Sequence, residues 1–187
     1  MIVWLLFAWL LPSPPPGPAE QARVGCEGIK DDEFVYIGGQ QATALGTQRY
    51  TLKKIRGRSV AGIPIPGGRS GPRYQVQVAQ KPQPVAVAES RPVFHLSSKT
   101  PIEQIVALQL NRCGKSDCFN LYEDGPAAMS LVQLESRALG PGCYEFHPER
   151  PLSPGDYALV ILGPDLKPVQ VARFVAGPTM PAIEMPK

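Results

Sequence analysis

From residue 92 to residue 175 the chain is cut by turn-forming residues into short apolar or alternating runs, none of them built like a substantial helix. The runs fall at 92–96, 105–110, 118–122, 129–134, 143–146, 156–162 and 168–175. About seven short strands with turns between them is what a two-sheet antiparallel sandwich needs. Within 105–110, Val106, Leu108 and Leu110 alternate with Ala107 and Gln109, the two-residue period of a strand. Eighteen glycines and 22 prolines, which apart from one N-terminal cluster sit between short apolar runs along the chain, supply the turns. The one helix start, Thr100 before Pro101, opens a segment that ends by residue 105, too short to change an all-β class.

The sharpest feature inside this region is the run Leu152, Ser153, Pro154, Gly155, Asp156, Tyr157. In sandwiches such a run turns the corner into the penultimate strand, and the tyrosine hydroxyl bonds back to upstream backbone to hold the crossover. Tyr157 is therefore expected to be a structural corner, and Asp156 a solvated turn residue. Residues 158–162 then form the strand, Gly163, Pro164 and Asp165 the hairpin turn, and Val169, Val171, Phe174 and Val175 the last strand. Upstream, runs at 33–37, 40–45 and 49–53, the first two joined by Gly38 and Gly39, predict a small three-stranded meander. Residues 55–84 are broken by Gly62, Pro64, Pro66, Gly67, Gly68, Gly71 and Pro72, with one strand at 74–78 and a linker at 81–84. The glycines there feed a strand rather than a helix, so no phosphate-binding loop is expected.

Arg91, Pro92, Val93 and Phe94, the strand at 105–110 and the segment 152–159 together resemble a domain recurring in uncharacterised exported bacterial proteins. Its pattern is an Arg-Pro-x-Phe strand and a Leu-x-Pro-Gly-Glu-Tyr corner, with Asp156 here in the place of the glutamate. The corner is also similar to that of immunoglobulin-like and fibronectin-like sandwiches. The resemblance covers about residues 79–177 and implies fold and export; it implies no activity, cofactor or site residue. The expected organisation is a leader at 1–19, a meander with its loop and linker at 20–84, an immunoglobulin-like β-sandwich at 85–177 and a tail at 178–187.

Compartment is read from the N-terminus and the cysteines. Residues 2–11 are wholly apolar and a Pro-rich stretch follows, with Gly17 and Ala19 suited to signal cleavage, although no Lys or Arg precedes the apolar core. Ten apolar residues are half the length needed to span a bilayer. Cys26 after Gly25 is a candidate for lipidation, with Arg23 out of keeping with that signal. The four cysteines, Cys26, Cys113, Cys118 and Cys143, suit disulfides in an exported chain and can pair in three ways. The most local pairing joins Cys113 to Cys118 and leaves Cys26 for Cys143; free thiols are the alternative. Two histidines, His95 and His147, are too few and too distant in sequence for a zinc site.

Neither catalytic residues nor a cofactor or metal site can be assigned. His95 lies inside an apolar run and His147 ends one, away from any Gly-x-Ser-x-Gly elbow. Asp31, Asp32 and Glu33, like Glu123 and Asp124, are neighbouring carboxylates at turns, and Gly125 completes no calcium loop. Tyr36, Tyr50, Tyr74, Tyr122 and Tyr144 fall at strand positions that a core would use, and both tryptophans, Trp4 and Trp9, lie in the leader. A formal charge of +3 with scattered Lys and Arg offers no stripe for nucleic acid. The expectation is an exported, non-enzymatic structural or interaction module with a protein partner at the envelope or cell surface. It would touch membrane only through the leader or a lipid on Cys26. A small carbohydrate- or peptide-binding protein is the second reading and a secreted hydrolase the third.

Overall fold

The computed structural model describes residues 26–39, 41–55, 74–122 and 125–177. The expected leader, most of the Gly/Pro-rich loop, Glu123, Asp124 and the tail lie outside these residues. The short runs become strands. In the first half they are β1 (Glu33–Gly38), β2 (Gln41–Ala44), β3 (Tyr50–Lys54), β4 (Tyr74–Val78), β5 (Val85–Val87), β6 (Val93–Ser97) and β7 (Ile105–Gln109). There follow β8 (Asn111–Cys113), β9 (Ser116–Tyr122), β10 (Gly125–Pro126), β11 (Leu131–Val132), β12 (Leu134–Gly140), β13 (Cys143–Pro148), β14 (Gly155–Leu162) and β15 (Pro168–Ala176).

Three sheets are stacked. Sheet I has the order β12-β13-β6-β1-β2, sheet II the order β11-β7-β14-β15-β5, and sheet III the order β10-β9-β4-β3 with β8 also on β9. All pairs are antiparallel except β15 with β5. Sheet II is the middle layer, because its two faces fill two cores. Phe34, Phe94, Leu96 and Phe146 of sheet I pack with Tyr157, Leu159, Ile161 and Phe174 of sheet II. On the other face Val76, Val78, Phe119 and Leu121 of sheet III pack with Ala158, Val160, Leu162 and Val171. This explains why residues 157–162 of β14 read Tyr-Ala-Leu-Val-Ile-Leu with no alternating polar position. A strand covered on both sides loses the alternation of a half-exposed one.

The chain changes sheet at both edges of the stack. After β2 it bridges to sheet II, where Thr47 pairs with Ala172 and the Gln48 amide bonds the Val171 carbonyl, and it then enters sheet III as β3. Beyond β9 it returns through β10 in sheet III, β11 in sheet II and β12 in sheet I. The expected hairpin of the first two runs forms around Gly39, whose φ of +58° suits glycine. The third run leaves it and pairs with β4, where Tyr50 packs against the second core. A lone three-stranded meander is marginal, and joining larger sheets buries more.

Two local expectations are corrected. Residues 100–105 hold a single 3-10 turn, Ile102–Gln104, and Ile105 already begins β7. The run at 129–134 is not one strand: Ala128–Ser130 is a 3-10 turn, and β11 and β12 are parted by Gln133 where the chain passes between sheets.

Cys26 is bonded to Cys143 and Cys113 to Cys118. The first bond fastens the segment before β1 to β13; the second closes the β8–β9 hairpin. Two disulfides fit a non-reducing environment. The Cys26 sulfur that a lipid would need is thus the one joined to Cys143. No helix among the described residues is long and apolar enough to cross a membrane.

Candidate functional site

Tyr157 lies at the start of β14, with its hydroxyl donating to the Ser153 carbonyl at 2.8 Å and its ring stacked on Phe174. Burial raises the phenol pKa above its ordinary value. Asp156 beside it is not simply solvated: its Oδ1 accepts from Arg173 at 2.5 Å. Arg173 is only 6% exposed, on the face of β15 toward sheet III, and the same nitrogen stands 2.5 Å from Asp117 Oδ2 on β9. That second contact is an ion pair without hydrogen-bond angles, since Asp117 Oδ2 has no directed partner. Arg112 bonds the other Asp117 oxygen at 3.2 Å. A buried cation between two carboxylates is a tie between sheets II and III rather than a reactive centre. Its sequence signal is an arginine set among the apolar residues of the last strand.

Both histidines emerge on the outer face of sheet I. Phe94 and Leu96 point into the core, so His95 between them points out. His95 is 2% exposed, with Nε2 3.4 Å from Glu145 on β13, and Glu145 is held at 2.9 Å by Arg137 on β12. Two residues along, His147 Nε2 stands 3.4 Å from Glu135, which also meets Arg91 at 3.7 Å. Arg91 further donates to the Pro148 carbonyl at 3.0 Å. The ladder produces this arrangement by pairing Arg137 with Glu145, Glu145 with His95, and Glu135 with His147. Neither histidine bonds a hydroxyl among the described residues.

The remaining candidates do not converge. Asp32 accepts from the Ser98 hydroxyl, Asp31 bridges Ser97 through its backbone, and Glu33 accepts from the Lys30 amide at 3.4 Å. Among the described residues no cluster of His, Cys, Asp and Glu could hold a metal. Tyr36 is buried; burial and the Glu89 carboxylate that accepts its hydroxyl push its pKa up to about 12. Tyr50, Tyr74, Tyr122 and Tyr144 are half-buried. A shallow groove of about 220 Å³, lined in part by Arg49, Tyr50, Thr51, Gln77 and Ser116, opens at one end of sheet III. The Tyr50 hydroxyl is tied to the Pro168 carbonyl.

No family model, curated protein or solved structure matches this chain.

What the fold does present is an edge. β12 is seven residues long, and Glu135, Ser136, Arg137 and Ala138 are all exposed. Among the described residues only β13 pairs with it, so its other side carries unpaired backbone donors and acceptors. Regular pairing covers Leu134 to Ala138 and then shifts at a bulge before Gly140. The other edge strands are shorter: β3 has five residues, four of them exposed, β2 four, β5 three, and β10 and β11 two each. No apolar pattern marked β12 in the sequence, because an edge strand with exposed faces needs none.

Proposed function

We propose that this chain is an exported, non-enzymatic interaction module of the periplasmic or cell-surface face, which recruits a protein partner by strand addition to β12. The observation that carries the reading is the seven-residue β12 edge, exposed over four successive residues. An incoming strand would gain main-chain hydrogen bonds there, and the Glu135 and Arg137 side chains would select its charges. The two disulfides support an oxidising compartment, as does the expected leader. An immunoglobulin-like character is supported by the Tyr157 corner, whose hydroxyl bond spans four residues back to Ser153.

The test is site-specific photocrosslinking in the exporting host, with the reactive side chain placed at Ala138 on β12 or at the exposed Val169 on β15. The expected result is a discrete protein adduct from position 138 and none from 169. Equal labelling at the two positions, or no adduct from 138, overturns the edge as the recruiting surface.

A further inference from the structure

We propose that the strand added to β12 is β12 of a second copy, giving a two-fold dimer with one sheet continuous across it; this rests on the reading of β12 as a recruiting edge. The regular part of the strand fixes where such a pair can form. It is bounded on one side by Gln133, where the chain arrives from sheet II, and on the other by the bulge after Ala138. Its midpoint is Ser136.

A two-fold axis through Ser136 and perpendicular to the sheet sets two antiparallel copies face to face in register. Ser136 then meets Ser136, Leu134 meets Ala138, and Glu135 of each copy lies directly opposite Arg137 of the other. The last two belong to the same face, since Glu135 pairs with His147 and Arg137 with Glu145 on the outside of sheet I. Each copy therefore contributes one cation and one carboxylate to two cross-strand ion pairs. The charges alternate through the junction: Glu145 and Arg137 of one copy continue into Glu135 of the second copy, itself beside Arg91 and His147. Moving the axis to Glu135 sets glutamate against glutamate, and moving it to Arg137 sets arginine against arginine. A shift of one residue sets outward side chains against inward ones. On the inner face Ser136 and Ala138 are small and exposed, leaving room for close approach. Mixed charge on an edge ordinarily deters foreign strands; here the order of signs makes the edge complementary to itself.

The experiment is sedimentation equilibrium of the mature, oxidised protein over a wide concentration range, with charge-reversed variants. Wild type is expected to dimerise, and E135R and R137E each to weaken the dimer about tenfold or more, because both ion pairs become repulsions. Mixing E135R with R137E restores opposite charges at both contacts, so a heterodimer within about threefold of wild-type strength is expected. Unchanged dimerisation of the single variants, or no heterodimer on mixing, overturns the register. Should a reversal disturb the fold, E135Q and R137Q read the same contacts, each with a several-fold weakening. Hydrogen exchange of the β12 amides separates this proposal from the reading beneath it. A monomer with freely exchanging amides overturns self-pairing and leaves the edge open to another strand. Protected amides in a monomer overturn both, because the edge is then covered from within the chain.

Discussion

Arg173 is a buried cation held between carboxylates from two sheets. It is buried between sheets II and III with Asp117, which is itself 4% exposed, while Asp156 reaches it from the corner. Removing the cation leaves Asp117 buried with, among the described residues, the exposed Arg112 as its counter-charge. Arg173→Met is therefore expected to cost about 3 kcal/mol in urea unfolding, and Arg173→Met with Asp117→Leu to recover most of it. A double variant as unstable as the single one would show that the arginine stem, rather than the ion pair, holds the sheets. This network was half legible from residue order. An arginine among apolar residues in the last strand announces a buried partner, but Asp117 lies 56 positions away by number and nothing local names it. The disulfide cysteines behave likewise: Cys113 and Cys118 are neighbours on a hairpin, whereas Cys26 and Cys143 meet only because β13 and β6 pair.

Among the elements, β14 and β12 differ sharply in burial. β14 is buried on both faces and β12 on almost neither, and each departs from strict alternation for that reason. Leu159 at the centre of β14 is 0% exposed and sits in the core shared with sheet I, while Val169 is 65% exposed on β15. Leu159→Ala is expected to cost about 2–5 kcal/mol and Val169→Ala less than about 0.5 kcal/mol, measured by chemical denaturation. Similar costs would contradict the burial of Leu159 in the core between sheets I and II. Strong apolar runs were readable as strands because burial wrote them into the sequence. The strand at 134–140 went unread beyond Leu134, which was joined to the run at 129–134, since its composition carries no record of the sheet change at Gln133.

At the scale of the whole molecule, the three sheets of the described residues are held by two cores and by chain crossings at both edges, while two disulfides of very different span close loops within single sheets. Cys26 and Cys143 are 117 residues apart, Cys113 and Cys118 only five. Loop closure predicts that replacing the first pair with alanine costs about 5 kcal/mol and the second about 2 kcal/mol. Urea unfolding of the two double variants checks this ordering; equal losses would mean that chain entropy is not the source. Residue order alone was enough for an all-β class, because a two-residue period and regular turns follow from local sterics and from which side chains seek the interior. The bond from the Tyr157 hydroxyl to the Ser153 carbonyl is likewise local, spanning four residues. Which strands share a sheet, that sheet II lies between two others, and that both histidines meet glutamates on one outer face were decided by tertiary structure. Those outcomes depend on pairings between residues far apart in the chain, and local preference carries no term for a partner that only the fold brings near.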